Sequence, residues 1–87
     1  MKRGSKHMTR QQVAAALANV LDLDDTGTHD AFDLFLGTPI DDPYLESIRM
    51  ECLEVIRNDS KPAKGKDLGP GAERWARDKL GELQEPR

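Results

Sequence analysis

The chain has 87 residues, 37% hydrophobic and 33% charged, with a formal net charge of −3. That length holds one domain and excludes a large enzyme with an enclosed cleft. A single cysteine excludes a disulfide scaffold, and no apolar run is long enough for a membrane span. Leu, Ile, Val and Phe make up 18 residues, roughly 21%, just above the level of about 20% below which a charged chain stays disordered.

Residues 1–8 carry three basic residues and no apolar period, and read as an unstructured basic tail. The basic start followed by Val13 to Leu21 imitates a signal peptide, but Asn19 interrupts the apolar stretch. Those residues read instead as an amphipathic helix. It starts after Thr9, with Gln12 completing a capping box, and Val13, Leu17, Val20 and Leu21 fall on one face. A second, short helix opens near Thr28 as N-cap and buries Phe32, Phe35 and Leu36. Gly37 is placed as its C′ glycine, with Pro39 beyond. A third helix begins at Asp42 (N-cap) and Pro43 (N1), with Leu45, Ile48, Cys52, Val55 and Ile56 at helical steps. A basic loop spans 60–69. Pro70 then opens a fourth helix with Ala72, Trp75, Ala76, Leu80 and Leu83 on one side, and Gly81 weakens its last turn. Residues 85–87 form a second tail.

No run alternates with a period of two, so no strand is expected. The fold class is all-α: a small orthogonal bundle of three to four helices over residues 9–84, with a core around Leu17, Phe35, Ile48, Ile56 and Trp75. Cys52, inside an apolar pattern, reads as a buried thiol, which fits a reducing, cytoplasmic location.

The stretch Asp22-Leu23-Asp24-Asp25-Thr26-Gly27-Thr28-His29-Asp30-Ala31-Phe32-Asp33 resembles an EF-hand loop. Asp22, Asp24, Thr26, Asp30 and Asp33 take the ligand positions and Gly27 the bend, with a helix expected on each side. The departures are a neutral Thr26 at position 5, a short Asp33 at position 12, and no second loop to pair with. A calcium-binding helix-loop-helix is therefore the alternative reading, and the main one treats the stretch as a solvated turn that caps helices.

Phe32-Asp33-Leu34-Phe35-Leu36-Gly37-Thr38-Pro39-Ile40-Asp41-Asp42-Pro43-Tyr44-Leu45-Glu46-Ser47-Ile48-Arg49 resembles a phrase found in small bacterial helical proteins that have no assigned activity. The resemblance covers about a fifth of the chain and implies no activity; the residues themselves read as a structural joint, in which Gly37 ends one helix, Ile40 plugs the core and Asp42-Pro43 starts the next helix. Tyr44 and Arg49, expected to be exposed near the joint, are with Asp41 and Glu46 the candidate partner-binding residues, since Tyr and Arg favour interface hot spots.

No catalytic spacing is present. His7 and His29 lack a Ser, Cys or carboxylate arranged for a triad, and no phosphate loop, dinucleotide fingerprint or paired Cys/His metal motif occurs. No cofactor is implied. A helix-turn-helix reading would place Glu46, Glu51 and Glu54 against phosphates, which argues against nucleic acid. The net charge divides into +4 for residues 1–21, −9 for 22–54, +3 for 55–66 and −1 for 67–87. The expectation is a non-catalytic cytoplasmic interaction or regulatory module with an acidic central surface. It would bind an unidentified protein partner and exist as a monomer or weak homodimer.

Overall fold

The computed structural model describes residues 5–62 and 68–85. Positions 1–4 of the expected tail, 63–67 of the basic loop and 86–87 lie outside the described residues. Four helices follow one another: α1 (Arg10–Val20), α2 (Asp30–Gly37), α3 (Pro43–Asn58) and α4 (Pro70–Gln84). The architecture is a small all-α bundle in which α1 packs against both α2 and α4, α4 packs on α3, and α2 barely touches α3. Among the described residues, no helix is long and apolar enough to cross a membrane.

α1 is the central element because alanine lets its neighbours come close. Val13, Ala16 and Leu17 are essentially inaccessible, and Ala14 and Val20 are buried. Its start is the expected capping box: the Gln12 N–H donates to Thr9 Oγ1 at 3.1 Å, and the Thr9 N–H donates to Gln12 Oε1 at 2.9 Å. Phe35, Ile48, Ala76 and Leu83 complete the core, while Ile56 and Trp75, expected at its centre, pack only partly buried against it.

Residues 5–8 are not a free tail. The Lys6 N–H donates to the Pro39 carbonyl and the Asp41 N–H donates to the Lys6 carbonyl, both at 2.9 Å. This single parallel bridge between Lys6 and Ile40 carries Met8 into the core at 9% exposure. The tail reading fails here because the pairing is long-range and leaves no local period to detect.

α3 and α4 are joined through Asp59. Gly69 occupies the N-cap of α4 and has no side chain to offer, and Pro70 has no N–H. The next two orphan donors are taken from a distance: the Gly71 N–H reaches Asp59 Oδ1 at 3.2 Å and the Ala72 N–H reaches Oδ2 at 2.7 Å. These bonds, the one from Ala72 foremost, hold the Asp59 carboxyl below its ordinary pKa. The approach needs glycine on both sides. A Cβ on Gly71 would meet Asp59 Oδ1 at 2.6 Å, and one on Gly69 would meet Asp59 Oδ2 at 2.5 Å and also the Ser60 carbonyl. Gly69→Ala is expected to cost about 1–3 kcal/mol by overpacking, read from chemical denaturation. An unchanged midpoint would show that the α3–α4 junction has slack.

Candidate functional site

The joint between α2 and α3 is built around the last carbonyls of α2. That helix has no basic residue in its own last turn, so its negative end needs cations from elsewhere. Arg49 of α3 supplies one: Nη1 donates to the Leu36 carbonyl at 2.9 Å. Lys6 supplies the other, its ammonium donating to the Phe35 carbonyl at 2.9 Å and also to that of Thr38. Burial, then the nearby Arg49 charge, pushes the Lys6 pKa down. With these partners in place, Gly37 has no left-handed closure to make. It remains the last helical residue and Thr38 is the C-cap, which corrects the expected C′ glycine.

Glu46 fixes Arg49 from one helical turn back. Arg49 Nε donates to Glu46 Oε1 at 2.8 Å and Nη2 to Oε2 at 2.9 Å, a two-pronged pair. Glu46 Oε1 also accepts the Ile40 N–H at 2.8 Å. The Arg49 hydrogen bonds, with smaller help from Ile40, draw the Glu46 carboxyl down to about 2. Arg49 was expected at the surface; it is 8% exposed and holds the fold together. Glu46 is half-buried with it. These two expected partner-binding residues are thus structural, because a guanidinium that satisfies a helix end must sit where that end is.

The other two expected residues remain at the surface. Tyr44, 37% exposed, donates its hydroxyl to Glu82 Oε2 at 2.7 Å, and the Arg10 guanidinium lies 5.8 Å from its ring centroid. The bond to Glu82 raises the Tyr44 pKa and lowers that of Glu82. Asp41 is exposed and lies 3.4 Å from His7 Nδ1.

Both belong to a strongly acidic stretch of the sequence. Segment 22–54 contains ten Asp and Glu residues and a single Arg or Lys, Arg49. Nine of the ten acidic residues, all but Glu46, are exposed, while Arg49 is buried. The charge read from the sequence therefore understates how one-sided this segment is toward solvent.

The loop between α1 and α2 is organised by a residue to which the sequence reading assigned no role. Asn19 is 2% exposed. Its Nδ2 lies 3.0 Å from Asp24 Oδ2, 3.0 Å from Thr26 Oγ1 and 2.8 Å from the Thr28 carbonyl, and its Oδ1 accepts the Phe32 N–H at 3.2 Å. The signal was an amide lodged within the apolar stretch of α1. Asp22 and Gly27 turn the chain with φ of 61° and 72°. His29, rather than Thr28, takes the N-cap position of α2 without a side-chain cap, and its Nε2 lies 2.8 Å from Asp22 Oδ1.

In this geometry the residues of the calcium-loop alternative have other partners. Asp24 and Thr26 converge on the Asn19 amide group, a hydrogen-bond donor. Asp22 turns to His29, and Asp30 Oδ2 accepts from the Thr28 hydroxyl at 3.3 Å. Asp33 sits in the first turn of α2. Among the described residues, no three His, Cys, Asp or Glu side chains gather as a metal site. A melting temperature unchanged by added calcium is the expected result, since a ligand of the native state must raise it.

Cys52 is 2% exposed, and burial, with Glu51 adding repulsion, pushes its thiol up to about 12. Alkylation of the native protein is expected to run at least ~100-fold slower than in denaturant; comparable rates would mean that α3 opens readily. A search of family models, curated proteins and solved structures finds no match to this chain.

Proposed function

We propose that this chain is a small non-catalytic interaction module of the cytoplasm, which engages a basic partner protein through its acidic central segment. The carrying observation is the inward turn of Arg49: the only Arg or Lys between residues 22 and 54 is buried, while nine carboxylates face solvent. Such a field steers an oppositely charged partner and weakens as salt screens it. Tyr44 and Asp41 lie in the same segment and contribute contacts there.

The test is affinity capture with the wild type and with a variant carrying Asp25→Asn, Asp30→Asn, Asp33→Asn and Asp41→Asn. These four are exposed and lie outside the Asn19 network and the α3 N-cap. A specific protein retained by the wild type, released by added salt and lost in the variant supports the reading. Strictly monomeric behaviour with no specific protein captured overturns it.

A further inference from the structure

Between the C-terminal half of α3 and the first turns of α4 lies a cleft of about 360 Å³, lined by Glu54, Val55, Asn58, Asp59, Gly71 and Trp75. We propose that this cleft receives one arginine side chain of the basic partner, its guanidinium between the Glu54 carboxylate and the Trp75 ring and its stem against Val55. The inference rests on the interaction role above and gives that role a defined contact.

The lining fits a cation. An indole attracts a guanidinium through its π face, and Arg exploits this better than other side chains because its planar group also stacks. The Trp75 N–H is already committed, donating to Glu51 Oε1 at 2.7 Å, so the ring is tethered and offers a ligand its π surface and carbon edge. A carboxylate at the indole N–H also enriches that surface in electron density.

The charges agree. Asp59 is engaged with the Gly71 and Ala72 amides and keeps its negative charge in the cleft wall. Glu54 is exposed, and none of the hydrogen bonds or ion pairs among the described residues engages it. Glu51, Glu54 and Asp59 bring three negative charges to the surroundings of Trp75. Against them stands Lys79, held at 3.4 Å by Glu51 and 3.6 Å by Glu82. A cationic side chain completes this balance, whereas a neutral or anionic one does not.

Trp75 is the only tryptophan in the chain, so its fluorescence reports the cleft directly. The probe is Nα-acetylarginine amide, with the citrulline analogue as its uncharged isostere at matched ionic strength. The expected result is a saturable emission change with the arginine probe and at least about tenfold weaker binding of citrulline. Glu54→Gln, an exposed substitution checked for an unaltered helical spectrum, is expected to weaken the arginine response by about fivefold or more. The four-Asp variant described above is expected to leave it unchanged. Equal responses to arginine and citrulline, indifference to Glu54→Gln, or equal weakening in the four-Asp variant would each overturn the assignment. So would a Lys61→Gln, Lys64→Gln, Lys66→Gln variant that alone reproduces the emission change, since the chain's own loop would then be the occupant. A partner still captured without an arginine response rejects the cleft alone; loss of both rejects the interaction reading as well.

Discussion

Arg49→Met is expected to lower stability by about 3 kcal/mol, read from urea denaturation followed by helical circular dichroism. The substitution keeps a long apolar stem but strands the Glu46 carboxylate, which loses both prongs of its partner, and leaves the Leu36 carbonyl without its donor. The pair is little screened, with the Arg49 side chain 9% and the Glu46 side chain 28% exposed. A chain of this size is held by roughly 4–13 kcal/mol in all, so the loss is a large share of the total. In a domain this small the melting temperature should fall by roughly 15 °C. A loss below about 1 kcal/mol would mean that the joint does not depend on the pair.

The same pair sets an acid limit. The Glu46 carboxyl lies near 2 in the folded chain against an ordinary 4.5. A lowered carboxyl contributes stability that is fully present above pH 4.5 and is lost as pH falls towards 2. Arg49 stays charged throughout, its pKa raised by the hydrogen bonds it donates to Glu46. The two shifts describe one interaction and are not added. Wild type should therefore lose stability steeply through that window, and Arg49→Met should lose less there. Parallel pH profiles for the two proteins would contradict this assignment.

Asn19→Ala is the second large effect, expected at about 2–4 kcal/mol despite the better helix propensity of alanine. The change removes one acceptor and one donor group at a buried site. It orphans the Phe32 N–H and leaves the Thr28 carbonyl, Asp24 and Thr26 to find water. The loss concentrates where α1 hands over to α2, so hydrogen exchange at the Phe32 amide should accelerate sharply while the far end of α3 stays protected. If the Phe32 amide exchanges at its wild-type rate, the Asn19 side chain is not the organiser of the turn.

The sequence carries the helices plainly. Thr9-x-x-Gln12 and Asp42-Pro43 are local signals, because those caps are made by atoms within one turn of the residue that offers them, and Pro70 is one because its ring fixes its own φ. Apolar spacing likewise places Leu17, Phe35, Ile48 and Leu80 in the core. Local reasoning misses at Thr28 and Gly37, since the flanking structure offers a different turn and distant donors for the carbonyls. It misses most at the candidate site. Arg49 carries the residue type of an interface hot spot, yet its spacing to Glu46 and its reach to the end of α2 make it a buried fastener. The acidic stretch of residues 22–33 has calcium-loop spacing, but spacing does not reveal that Asn19 bonds Asp24, Thr26 and the Thr28 carbonyl.

The starts of α1 and α3, the all-α class and the sign of the central segment are therefore properties of the chain read in order, because their caps, periodicity and formal charge involve near neighbours only. Which charges face solvent is not such a property. Arg49 turns inward because the Leu36 carbonyl of α2 ends beside it, Lys6 reaches the Phe35 carbonyl from a bridge to Ile40, and Asp59 caps a helix whose own N-cap is glycine. Each of these depends on groups far apart in sequence, where only packing fixes the distance. The net charge of −3 thus becomes, once folded, an acidic segment with its one arginine withdrawn, and that is the feature a basic partner would meet.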